Sequence, residues 1–251
     1  MKLHIFVIFH KTLYENFYGM PSTMLKNYIT FVAVNDKKAK TVPPFATYNT
    51  MLECQLSPDW TNRLQEEMYH ESSVLINLGK SHLLQTLDYA GCIHYDMSIT
   101  ENTIFAIQHM IDAFPQMGCC FYFKSQAVDI NVCNSFFSPQ DGWETWSNII
   151  KLYNNTFNTD HKIERIMNKE IPMFHTFIIP TKILKPLAAF VEKVAPTILD
   201  YLGGVRHFPY HLERLWGICL LLKKLEGELP IWIPLIDMVH DEGVKEPKFH
   251  A

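Results

Sequence analysis

KLHIFVIFHK, residues 2–11, decides the fold. Its β-branched and aromatic residues follow no helical period and run into polar His10 and Lys11, which is the pattern of a strand buried on both faces. YITFVAVND, residues 28–36, repeats the design, with apolar Ile29 to Val34 leading into Asn35 and Asp36. In an open α/β sheet, ligands gather beyond the carboxyl ends of the strands, where loops and helix starts leave donors exposed. His10, Lys11, Asn35 and Asp36 are therefore the first candidates to line a nucleotide pocket.

Residues 39–58, with Pro43, Pro44 and Pro58, read as a long loop able to cover a pocket. From Asp59, DWTNRLQEEMYHESSVLINLGK reads as one helix, with an Asp cap and Leu64, Met68, Leu75 and Leu78 spaced for one face. In DYAGCIHYDMSIT, residues 88–100, Tyr89 to Ile93 form a compact strand followed at once by His94, Tyr95 and Asp96. Ile104 to Phe114 has a helical pattern, Cys119 to Phe123 is a strand, and SFFSPQDGWETW at 135–146 is a loop leading into a helix. MFHTFIIP at 173–180 reads as a strand and KPLAAFVEKVAPTILDYL at 185–202 as a helix interrupted at Pro196. HLERLWGICLLLKKLEG at 211–227 reads as an apolar helix stopped by Gly227. Strands and helices alternate, so the expected class is α/β with a mainly parallel central sheet flanked by helices.

The 251 residues, 48% of them hydrophobic, suffice for one large core, and a single domain over residues 1–251 is expected. The polar tail after about residue 243 is expected to be only partly ordered. A formal charge of -4 supplies no basic field for a polyanion, which argues against nucleic acid as a partner. Lys37, Lys38 and Lys40, and Lys223 and Lys224, read as solvated faces. The six cysteines form no CxxC pair and mostly sit in apolar runs, as small buried hydrophobes do in a reducing compartment. No stretch nears the roughly 18 apolar residues that suggest a membrane span, and Leu3 to Phe9 is too short for a signal-peptide core. The expectation is a soluble, cytoplasmic protein without a transmembrane span.

The chemistry centres on the strand end at residue 94. His94-x-Asp96 places two potential ligands on the same side of extended backbone, close to the geometry of an Asp-x-Asp pair. A divalent cation that screens a diphosphate leaving group takes such hard oxygen or imidazole ligands. The plain alternative is that Asp96 caps a turn.

The order YHESSVL, DYAGCIHYDM, MFHTFIIP, HLERLWGICL resembles a family of glycosyltransferase-like proteins from bacterial capsular polysaccharide loci. It is also similar to glycosyltransferases of large DNA viruses, which have the GT-A fold and build glycans on their own capsid proteins. The matching positions are His70 and Glu71, Tyr89, Gly91, His94 and Tyr95, Met173 and Phe174, and Glu213, Arg214 and Leu215. Where the bacterial family usually continues His-Tyr with two arginines, this chain has Asp96 and Met97, which moves phosphate neutralisation from guanidinium groups to an Asp-bound cation.

The resemblance implies a GT-A-like enzyme that moves a hexosyl or pentosyl group from a nucleoside-diphosphate sugar, UDP-linked, to a glycan or glycoprotein hydroxyl. In a viral setting the place of action would be the host cytoplasm and the product a capsid glycan. Asp96 and His94, with His240 from the C-terminal side, would hold Mn²⁺ or Mg²⁺. Glu213, at the expected start of its helix, would take the acceptor's proton if transfer inverts the anomeric centre; the alternative is a structural salt bridge with Arg214 or a helix-start role. His70, Glu71 and Tyr95 would contact the donor, and His175 would face the acceptor. Trp143 and Trp146 offer rings to stack on a sugar, although core packing is the common fate of such residues. Two other classes fit the same residues: a metal-dependent hydrolase, and a catalytically silent sugar-binding protein on the same fold.

Overall fold

The computed structural model describes residues 1–9, 20–34, 49–95, 97–128, 139–202, 208–235 and 239–240. Its strands are β1 (Leu3–Phe9), β2 (Ile29–Ala33), β3 (Thr50–Leu52), β4 (Tyr89–His94), β5 (Met97–Ser98), β6 (Cys119–Tyr122), β7 (Ser125–Ala127), β8 (Glu170–Pro172), β9 (Phe177–Pro180), β10 (Ile231–Pro234) and β11 (Val239–His240). The helices are α1 (Ser22–Tyr28), α2 (Arg63–Glu66), α3 (Glu71–Lys80), α4 (Glu101–Ala113), α5 (Pro139–Phe157), α6 (Thr181–Leu202) and α7 (Phe208–Leu225). Seven strands form the central sheet in the order β10-β6-β9-β4-β1-β2-β3. Six run in one direction, and β9 alone is antiparallel to both its neighbours, β4 and β6. This is the α/β architecture expected from the alternating pattern.

Both faces of the sheet are covered, which is why the strands carry apolar residues at nearly every position. Along β1, Phe6 and Ile8 point to one core together with Val32, Ala90, Cys92 and Phe177, packed against α3, α6 and α7. Ile5, Val7 and Phe9 point to the other core, with Phe31, Ile93 and Ile178 under α1 and α4. Each such side chain taken out of water contributes about 1.5–3 kcal/mol. The central strands are thereby fixed in register, with Ile8 beside His94 and Cys92 beside Phe177. All polar atoms presented at that edge inherit this rigidity.

Several local expectations are corrected. Residues 59–80 do not form one helix: α2 ends at Glu66 and α3 starts at Glu71, with Met68 at φ 64° and His70 at φ 48° between them. The break drives Tyr69 into the core edge-on against Phe208 at 5.0 Å and leaves Met68 exposed. Burying that ring outweighs a helical propensity that differs by only tenths of a kcal/mol per residue. Within the expected loop at 39–58, Thr50–Leu52 adds an edge strand beside β2. The 173–180 strand starts only at Phe177, because Phe174 (φ 63°) and His175 (φ 48°) turn the chain first.

Helix α6 runs through Pro196 without interruption. Its buried residues Leu184, Leu187, Val191, Val194 and Ile198 offset the roughly 3 kcal/mol that an internal proline costs. Gly227, at φ 80°, ends α7 as expected. Lys223 is buried rather than solvated. Among the described cysteines, Cys92, Cys119, Cys120 and Cys219 are buried and none is paired, while Cys54 is partly exposed.

Candidate functional site

A cavity of about 360 Å³ opens at the carboxyl edge of the parallel strands, lined by His70, Glu71, His94, His175, Tyr210 and Glu213, with Met68, Phe174 and Pro209 completing its wall. Three chain segments build it. His94 is the last residue of β4, half-buried, and its Nε2 is buried without a hydrogen-bond partner among the described residues. Glu71 opens α3, just past the break that sets His70 at φ 48° and ψ -124°. His175 sits in the turn before β9, where two successive non-glycine residues hold positive φ. Such backbone costs of order 1–3 kcal/mol per residue and persists where the surroundings over-determine it, as they do at functional sites.

Reversal of β9 is what places His175 here. Because β9 runs against β4, residues entering it lie at the edge where β4 ends, and the rings of His94 and His175 stack at 6.5 Å with 20° between their planes. Ser72, the residue after Glu71, meets His175 Nε2 through its Oγ at 2.6 Å. Glu71, His94 and His175 each offer one ligand atom, and these three atoms lie within 4.8 Å of one another. Burial holds the His175 imidazolium down to about 3; Glu71 opposes that shift, and His94 and His70 add to it. His175 therefore stays neutral at working pH and keeps a lone pair.

Glu213 faces this group from the second turn of α7. Burial pushes its carboxyl above the ordinary range, an effect offset in part by the Phe174 amide donating to it, by Arg214 and by His94, and reinforced by Glu71. The helix starts at Phe208, so Glu213 does not open it, and its place is set by the buried face of α7 rather than by a helix-start preference. An acid that prefers its proton more than usual, in a cavity shared with the neutral His175 imidazole, is a group able to take and release a proton.

The other expected residues are distributed differently. Arg214 turns back along its own helix, with Nη1 donating to the Tyr210 carbonyl at 2.8 Å, and does not line the cavity. Tyr95 also lies off the cavity; its amide donates to Ile8 O at 3.0 Å and its ring packs on the second core. Trp146 is fully buried and parallel to His211 at 6.4 Å, so it offers no face to a sugar, and Trp143 packs against the same core. His10, Lys11, Asn35, Asp36 and Asp96 lie outside the described residues. The backbone of His240 pairs with Met97, one position from residue 96, while its side chain is outside the description. Ser72 is the residue that sequence reasoning missed; its only signal was a small polar residue beside Glu71 at the start of an apolar helix.

The fold and the edge cavity define a class: an α/β protein with a mainly parallel sheet and an acid-imidazole site at its carboxyl edge. No protein-family model matches the chain, and no curated protein is found similar to it in sequence. In structure it is similar to WbbM, a bifunctional glycosyltransferase in its apo form, with a TM-score of 0.64, 14% identity, and coverage of 100% of this chain and 48% of that one. The chain thus spans about half the length of that relative. Weaker likenesses are to core-mannan synthase A (CmsA/Ktr4) from Aspergillus fumigatus in a Mn/GDP form, at TM-score 0.47, 9% identity and 96% and 75% coverage, and to the mannosyltransferase Ktr4p from S. cerevisiae, at 0.38, 10%, 87% and 66%. At 14% identity, WbbM establishes a shared fold. Among the described residues, no helix is long and apolar enough to cross a membrane.

Proposed function

We propose that the chain transfers a glycosyl group from a nucleotide sugar, UDP-linked, to a hydroxyl of a glycan or glycoprotein, with the edge cavity as the reaction site. The observation that carries this is Glu213: a carboxyl of raised proton affinity on the cavity wall, in a fold shared over the whole chain with a glycosyltransferase. In this role Glu213 takes the acceptor proton as the new C–O bond forms at the anomeric carbon and the bond to the diphosphate breaks. The nucleoside diphosphate is the leaving group. Both α3 and α7 begin at the cavity, and the partial positive charge of helix starts suits phosphate oxygens.

His70 and Glu71 are assigned to the donor, as are His10, Lys11, Asn35, Asp36 and Asp96, which follow β1, β2 and β4 in the chain. Cations of the Mn²⁺ or Mg²⁺ type would screen the diphosphate. The resemblance to viral enzymes favours a capsid glycan as acceptor. Metal-dependent hydrolysis is a second reading, supported by the grouping of Glu71, His94 and His175. A panel of nucleotide sugars incubated with the protein and Mn²⁺ tests both. Release of nucleoside diphosphate from one member, lost in Glu213→Gln, supports transfer; turnover of unrelated esters with nucleotide sugars untouched removes it.

A further inference from the structure

We infer that Glu71, His94 and His175 form a binding site for a first-row transition-metal ion, selective against Mg²⁺. The site stands on its own side chains, and its use in catalysis rests on the transfer reading above. Two imidazoles and one carboxylate converge from three separate segments, the end of β4, the first turn of α3 and the turn before β9. His94 Nε2 supplies a second observation: it is a buried polar atom with no partner among the described residues, at the wall of an open cavity. A buried polar atom left unpaired destabilises the empty site. A ligand arriving from the cavity removes that cost.

Ser72 completes the arrangement. In the tautomer with its proton on Nε2, His175 donates to Ser72 Oγ at 2.6 Å and keeps a lone pair on Nδ1 for a ligand. Metal-bound histidines are held in this way by a partner on the far nitrogen, which fixes ring and tautomer. Metal–nitrogen bonds of about 2.1 Å keep ligand atoms no more than roughly 4.2 Å apart, so the present limit of 4.8 Å closes by a small rotation of Glu71 or His94. His175 is fixed by its turn and by Ser72. The donor set decides the ion: two imidazoles with one carboxylate suit Mn²⁺, Fe²⁺ and Zn²⁺, whereas Mg²⁺ demands an all-oxygen octahedron and keeps its waters.

Titration of the protein alone with MnCl₂, followed by loss of the free-ion paramagnetic resonance signal, tests the site. One equivalent is expected to bind, with affinity falling at least tenfold in His94→Ala and in Glu71→Gln; ZnCl₂ competes and a hundredfold excess of MgCl₂ does not. Thermal unfolding without metal identifies any variant that fails to fold, and Glu71→Gln, at a helix surface, keeps the test open if His94→Ala does not. Absence of binding to the wild-type chain, binding unaltered in either folded variant, or displacement by Mg²⁺ overturns the inference. The outcome is separable from transfer: a bound metal with no nucleotide-sugar turnover keeps the site and removes the transfer reading, and turnover by a chain that binds no metal does the reverse.

Discussion

Helix α7 carries two acidic centres, and they are opposites. Near its start, Glu213 is pushed toward its protonated form by burial and shares a cavity wall with two neutral or unpartnered imidazoles. Just past its end, Glu226 accepts from Lys223 Nζ at 2.8 Å, from Tyr153 Oη at 2.9 Å, and meets His161 Nε2 at 3.0 Å. Lys223 also reaches Glu228 at 2.9 Å and lies over the Phe157 ring at 4.2 Å. The hydrogen bonds from Lys223, His161 and Tyr153 outweigh burial and hold Glu226 below its ordinary value. At one end His94 Nε2 is buried without a partner among the described residues beside an open cavity, and at the other the polar groups tie α5 to α7.

The largest expected effect comes from removing the charge at the open end. Glu213→Gln should lower transfer by about 10²- to 10⁴-fold, the usual yield of a positioned general base, while nucleoside-diphosphate affinity by calorimetry stays the same. At the closed end, Glu226→Ala leaves Tyr153 and His161 without their acceptor and Lys223 with Glu228 alone, and should cost about 1–3 kcal/mol in urea unfolding, with activity per folded molecule preserved. Equal stability loss in both variants would erase the distinction drawn above.

Acidity sharpens the contrast, because the two shifts have opposite signs. Glu226 contributes stability that is present above its unfolded value of 4.5 and is lost as pH falls through its lower folded value. Glu213 favours its proton in the folded chain, so its ionisation costs stability as pH rises through its raised folded value. Glu213→Gln should therefore melt higher than wild type at pH 7, with the gap closing below pH 4.5, whereas Glu226→Gln should melt lower at pH 7 and converge in acid. Melting curves at the two pH values check both signs.

Two smaller effects probe the strand that ends in His94. A Cβ at Gly91 would collide with the Phe177 backbone carbonyl on β9, so Gly91→Ala should destabilise by about 1–3 kcal/mol and loosen both sides of the cavity together. Ser72→Ala should lower Mn²⁺ affinity about tenfold and leave the melting temperature within a few degrees, which resonance titration and thermal unfolding read separately.

The central strands were legible because burial on both faces leaves Leu3 to Phe9 and Ile29 to Val34 apolar except at His4 and Thr30, which meet each other at 2.8 Å. His94 was legible for the same reason, as the first polar residue after such a run. Glu71, His175 and Glu213 were found through resemblance, and their positions follow from features that spacing does not encode. The helical period of residues 59–80 hides the positive φ at Met68 and His70, since Tyr69 gains its place only from Phe208, far along the chain. Likewise, nothing local in MFHTFIIP tells that the chain turns twice before it pairs. Pro196 misled in the other direction, because local cost was overridden by packing.

The reversed strand has a kinetic meaning. β4 and β9 are sheet neighbours separated by α4, β6 and α5 in the chain, so His94 and His175 meet only after that long excursion has closed. Hydrophobic collapse of β1 with β2 and β4 can precede this step. A metal ion that requires both imidazoles would then act as a reporter of that closure, silent on partly formed chains and responsive only once β9 is seated.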